Sequence, residues 1–196
     1  MKGFGGKDNS KEIKKSINKN NLNREEIIKK AFDFHSKGNI EKAAEYYQYF
    51  LDQGFTDLNI FSNYGSILKS KGKLKEAEIL YRKAIELKPD SATVHYNLGN
   101  LLKEKGKLKE AELSIRKSIE YKPNFVDAHS NLGNILTDLG ELKEAELFIR
   151  KAIELKPEFS DAHYNLGNLL KDLGRLEESE LSIRKAIELK PAFAEA

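Results

Sequence analysis

Three histidines, His95, His129 and His163, fall 34 residues apart. Imidazole is a common metal ligand and the usual general base near neutral pH. A zinc ion, however, needs each ligand nitrogen within ~2.0–2.1 Å of one centre. Groups repeated on packed helices stand ~8–10 Å from their counterparts, so these rings form a ladder and no metal site is expected. They read as packing groups between repeats or as a surface row. Aspartates and glutamates recur with the same spacing, which makes them template residues rather than a paired acid and base. The chain has no cysteine, excluding disulfides, thiolate sites and thiol nucleophiles. It also carries no Gly-rich phosphate loop, no Gly-x-Ser-x-Gly elbow and no His-Glu-x-x-His run. Neither catalysis nor a cofactor is expected.

A second row is made of carboxamides. Asn63, Asn97, Asn131 and Asn165 keep the same interval, and Asn100, Asn134 and Asn168 follow three residues after the last three. Three residues is about one helical turn, so each pair shares a helix face. A carboxamide both donates and accepts, which suits it to a peptide unit of any side chain. With Thr93, Tyr96, Lys103 and Glu104 these residues form a polar stripe opposite Val94, Leu98 and Leu101.

The elements that position these rows follow from one period. All four prolines, Pro89, Pro123, Pro157 and Pro191, are 34 residues apart. Gly38, Gly72, Gly106, Gly140 and Gly174 form a second register, and Gly65, Gly99, Gly133 and Gly167 a third. Each period reads as two helices. Val94, Leu98, Leu101 and Leu102 make one apolar stripe at helical spacing, and Leu108, Ala111, Ile115 and Ile119 the next. Gly106 should end the first helix in a left-handed conformation. Pro123 should end the second, since it lacks an amide donor and clashes with the preceding turn. Asp90 and Asn124 are expected N-caps. Gly99 and Ala111 should let the paired backbones approach closely. The pairs Glu78–Arg82, Glu112–Arg116, Glu146–Arg150 and Glu180–Arg184 stand at i,i+4, each worth roughly 0.2–0.5 kcal/mol on an exposed helix.

The pattern resembles the tetratricopeptide repeat, whose signature couples Leu-Gly to a later Ala, a large residue and Pro. Here it runs Leu98-Gly99, Ala111, Ile115 and Pro123, then Leu132-Gly133, Ala145, Ile149 and Pro157. Asn63-Tyr64-Gly65 with Ala77, Tyr81 and Pro89 is another copy, and Leu166-Gly167 with Ser179, Ile183 and Pro191 a fourth, its Ser179 replacing alanine. A degenerate copy precedes them, with Ala31, Phe34, Gly38, Ala43 and Tyr47 in register and Phe55 in place of proline. The resemblance implies an all-α, right-handed superhelical solenoid of antiparallel helix pairs. The repeats would span 24–57, 58–91, 92–125, 126–159 and 160–193, and 194–196 would begin a truncated next one.

In this family the first helices line the concave surface, so the polar stripe should face a groove. The asparagine row resembles the ladder in the repeat superhelix of O-linked N-acetylglucosamine transferase, carried over to Asn63, Asn97, Asn131 and Asn165. Asn100, Asn134, Asn168, Lys69, Lys103 and Lys171 would complete a peptide-binding face. The other reading is that the asparagines bind only neighbouring repeats or water. Family members that clamp a terminal carboxylate use basic residues on successive first helices. Here Asn59, Thr93, Asp127 and Asp161 hold the early groove positions, with Asp138 and Asp172 later, so such a clamp is not expected.

The net charge is +3. Residues 1–23 hold six lysines against Asp8 and Glu12, a balance of +4 that leaves −1 for the rest. A basic tail on a near-neutral body does not make the one-sided basic face that nucleic acid requires. Its composition favours a disordered, solubilising segment. No apolar run approaches the ~18–20 residues of a membrane span, and a cytoplasmic location agrees with the absence of cysteine. The aromatics Phe32, Phe34, Tyr46, Tyr47, Tyr49, Phe50 and Phe55 should close the end of the core. Ile183, Ile187 and Leu189 have no following helix in the sequence, which points to a fragment of a longer protein or to self-association there. The function expected is a non-catalytic scaffold that holds a protein or peptide. The alternative is the substrate-recruiting segment of a larger enzyme, for example a glycosyltransferase.

Overall fold

The computed structural model describes residues 22–191. The tail expected over 1–23, apart from Leu22 and Asn23, and the further repeat expected to start at 194–196 lie outside the described residues. Among the described residues the fold is ten α-helices and no strand, as the all-α reading requires. They are α1 (Arg24–Ser36), α2 (Ile40–Asp52), α3 (Leu58–Ser70), α4 (Leu74–Leu87), α5 (Ala92–Glu104), α6 (Leu108–Tyr121), α7 (Val126–Asp138), α8 (Leu142–Leu155), α9 (Ser160–Asp172) and α10 (Leu176–Leu189). The chain divides into two compact units between Lys88 and Pro89.

In the first unit α1 pairs with α2 and α3 with α4, and α2 lies against α3. Three of its four helices, α1, α2 and α3, have side-chain caps. Asn23 and Glu26 form a reciprocal capping box, Asn39 accepts from the Lys42 amide, and Asp57 accepts from the Asn59 and Ile60 amides. Tyr47 and Phe50 are fully buried, and Phe32 and Tyr64 meet Tyr47 at ring separations of 6.0 Å. Of the aromatic cluster, Tyr47, Tyr49 and Phe50 are core, and Phe32, Phe34, Tyr46 and Phe55 are half-buried. Phe55 takes over the proline slot by packing on Phe50 at 5.3 Å, after Gly54 closes α2 at a φ of 76°.

The second unit is three hairpins, α5–α6, α7–α8 and α9–α10. Each second helix packs on the first helix of the following hairpin, and the first helices α5, α7 and α9 also touch in succession. Gly106 ends its hairpin's first helix at a φ of 73°, in the left-handed region that the sequence reading required. Gly99 is needed for a different reason. A Cβ there would stand 2.5 Å from Ile115 Cδ1 and 3.2 Å from the Ala111 carbonyl oxygen. Ser179 is accepted in the alanine slot because its hydroxyl donates to the Gly167 carbonyl oxygen at 2.7 Å.

The expected N-caps are displaced by one residue. Ser91 and Phe125 hold the N-cap positions of α5 and α7, neither with a side-chain cap bond. Asp90 and Asn124 sit in the turns before them. The Phe125 amide donates to the Lys122 carbonyl at 3.0 Å, closing a four-residue turn with Pro123 second and Asn124 third. Proline fits the second place of such a turn, and turn closure takes Asn124 away from the helix start.

The four Glu–Arg pairs form as spaced, but two of them also bind across hairpins. Arg116 reaches Glu144 at 2.9 Å as well as Glu112, and Glu146 receives Arg175 at 2.7 Å as well as Arg150. The side chains of Glu112 and Glu146 are only 12% and 18% exposed. The residues after them are turned outward instead, with Leu113 and Leu147 at 64% and 69% exposure. Burial opposes ionisation of Glu146, but the hydrogen bonds from Arg150 and Arg175 prevail and hold its carboxyl below the ordinary value.

Candidate functional site

The row of first helices gives the second unit a hollow of about 350 Å³ between α5, α7 and α9. Its walls include Tyr96 from α5, Asp127, Ser130, Asn131 and Asn134 from α7, and Asp161, Tyr164 and Asn165 from α9, with Phe159 at the start of α9. Of the polar stripe named on α5, Tyr96 is in the wall of this hollow. Three of the ten expected binding residues, Asn131, Asn134 and Asn165, are in its wall.

The hydrogen bonds explain how these side chains are held. Asn131 Nδ2 donates to the Tyr96 hydroxyl at 3.0 Å and to Asn100 Oδ1 at 2.9 Å. Both amide hydrogens of Asn131 are thus committed to the preceding first helix. Its Oδ1 has no partner among the described residues. Asn165 Nδ2 donates to Ser130 Oγ at 3.2 Å, one hairpin back. The carboxamides therefore bind neighbouring repeats, and what Asn131 can still offer a ligand is an acceptor. Burial, reinforced by nearby Asp127, pushes the Tyr96 hydroxyl above its ordinary value against the hydrogen bonds of Asn100 and Asn131. Tyr96 stays a neutral phenol near pH 7. Its ring packs against Phe125 at 4.8 Å.

The remaining expected residues are dispersed. Asn97 is half-buried on α5, Asn168 is exposed on α9, and Asn63 and Lys69 belong to α3 of the first unit. The Tyr47 hydroxyl in that unit lies 2.8 Å from His35 Nδ1. Lys103 is bound to Asp138 at 3.0 Å across α5 and α7, so its charge serves the stack. Lys171 is exposed. The sequence reading missed Ser130, Phe159 and Tyr164. Ser130 and Tyr164 follow Tyr96 at one and two periods, a signal that was present but unread.

The histidine ladder is a structural device. His95, His129 and His163 place Nε2 at 2.8, 2.7 and 2.8 Å from the carbonyl oxygens of Pro89, Pro123 and Pro157. Each imidazole donates to the turn that precedes its own helix, and all three of those helices lack a capping side chain.

Family models described as tetratricopeptide repeat match residues 26–52, 92–125, 126–159 and 160–193, and one described as TPR repeat matches 65–106. The chain belongs to the tetratricopeptide-repeat family. None of the curated proteins matches it. Among solved structures, this tetratricopeptide-repeat chain is similar to YrrB, described as a TPR protein with an unusual peptide-binding site, at 25% identity and a TM-score of 0.73. That match covers 91% of this chain and 92% of YrrB. It is also similar to MamA, at 22% identity and a TM-score of 0.74 over 85% of this chain and 97% of that one. A MamA from Desulfovibrio magneticus RS-1, residues 41 to the end, gives 20% identity and a TM-score of 0.78 over 86% and 96%.

Proposed function

We propose that the inner face of α5, α7 and α9 holds an extended segment of a partner protein, making the chain a non-catalytic interaction scaffold. The unpartnered Oδ1 of Asn131, fixed in the wall of the hollow by the two bonds its amide makes, carries this reading. An acceptor held in place takes a backbone N–H without regard to side chain, and it loses little freedom when it does. One hairpin advances ~10 Å and an extended strand rises ~3.3 Å per residue, so asparagines one repeat apart meet every third residue. A row engaged in this way would resemble the asparagine ladder of O-linked N-acetylglucosamine transferase. The peptide-binding site ascribed to YrrB supports the class of ligand. Asp127 and Asp161 in the same wall weigh against an acidic segment. No described helix is long and apolar enough to cross a membrane.

The test is selection of random extended peptides on the immobilised full chain, followed by affinity measurement on a variant with Asn97, Asn131 and Asn165 all changed to alanine. A loss of about tenfold or more, one 1.4 kcal/mol step, with helical content retained is the expected result. Unchanged affinity would remove the asparagine row from the site.

A further inference from the structure

A second hollow, of about 440 Å³, opens between α8, α9 and α10 and shares no lining residue with the first. Arg150, Ile153 and Glu154 come from α8, His163 and Leu166 from α9, and Leu181, Ser182 and Lys185 from α10. The molecule contains its own filled version of this place, one repeat earlier. There Phe148, the counterpart of Ser182, lays its ring on His129 at 5.8 Å with the planes 27° apart. The Arg116 guanidinium, counterpart of Arg150, lies 5.4 Å from the same ring.

The three ladder histidines therefore differ in what covers them. His95 has the Tyr121 ring at 5.5 Å and is 4% exposed, and His129 has Phe148 and is 5% exposed. His163 is half-exposed, and no aromatic ring of the described residues stacks on it. Leu189 stands where Tyr121 would, and Ser182 where Phe148 would.

We propose that this hollow receives an aromatic side chain of a partner protein, stacked on His163 beneath Arg150. The filled site shows that the surroundings accept a ring. Its arginine does so while bound to Glu112 and Glu144, just as Arg150 is bound to Glu146 and Glu178. The cations Arg150 and Lys185 in the lining complement the negative face of a π system. Leu166 and Leu181 in the lining supply the apolar contact that a phenyl or phenol ring requires. The inference is independent of the asparagine face, since neither surface uses a residue of the other.

N-acetyl-phenylalanine amide, N-acetyl-tyrosine amide and N-acetyl-leucine amide are titrated into the full chain and followed by two-dimensional NMR. The two aromatic probes should produce saturable shifts at His163, Leu181 and Lys185, with leucine binding at least fivefold weaker. Ser182→Phe supplies the missing ring from within. It should raise the melting temperature and abolish those shifts. Equal binding of the leucine probe, absence of shifts at these residues, or aromatic binding undiminished in Ser182→Phe overturns the proposal. A lowered melting temperature in Ser182→Phe also overturns it, because the hollow then does not fit a ring.

Discussion

Asn131 has two tasks, and substitutions can part them. Its amide hydrogens tie α7 to Tyr96 and Asn100, and its oxygen is the group offered to a ligand. Asn131→Ala removes both, and loss of a part-buried hydrogen-bonded group should lower stability by about 1–3 kcal/mol in urea unfolding. Asn131→Asp keeps an acceptor but gives up the donors. It should lose stability while retaining peptide affinity to a greater degree than the alanine variant. Equal affinity losses in the two variants would show that the oxygen is not the recognition group. Ser118 presents the opposite case. It is fully buried where Ala84, Ala152 and Ala186 fill the same place, and its hydroxyl has no partner. Ser118→Ala should therefore stabilise the chain by about 1 kcal/mol, since an unsatisfied buried hydroxyl costs roughly that much or more. A shift of the urea midpoint to higher concentration is the check.

Between paired helices the deciding feature is distance. A methyl group on Gly133 would overlap Ile149 Cγ1 and stand 3.2 Å from the Ala145 carbonyl oxygen. Gly133→Ala should destabilise by about 1–3 kcal/mol, the usual range for overpacking, and α7 should move from α8. Combining it with Ile149→Ala should cost less than the two changes summed, as contacting sites do. A strictly additive double-mutant cycle would argue against the contact. This level of organisation was legible in the residues, because proline and glycine at one interval mark where helices end and where backbones meet. The helix starts were less so. Asp90 and Asn124 have capping chemistry, yet proline drew them into a turn, and the histidines took up the proline carbonyls from six residues away. What Asn131 does with its amide was not legible. Its partners lie 31 and 35 residues back, and local periodicity names a face without naming the atoms opposite it.

At the scale of the molecule, the ion pairs link one hairpin to the next. Burial opposes ionisation of Glu112 and Glu146, but Arg116 and Lys109 at the first and Arg150 and Arg175 at the second hold their carboxyls below the ordinary value of 4.5. A lowered carboxylate contributes stability that is complete above the unfolded value and lost as pH falls through the folded one. The urea midpoint should stay level from neutrality down to about that ordinary value and fall at lower pH. Arg116→Gln or Arg175→Gln should flatten the fall, and an unchanged profile in both would show that these pairs do not govern it.

The same connections have a consequence for how such a gene grows. Residues 126–159 send Arg150 forward to Glu178 and receive Arg116 on Glu144. A tandem duplication of that segment would set Arg150 against a second Glu144 and Lys143 against a second Glu141. Glu146 would meet an acid where it now meets Arg175, and a second Asp138 would meet Thr137 in place of Lys103. Recombination within this reading frame can thus lengthen the protein by whole hairpins, with part of the ion pairing at the new junction already encoded.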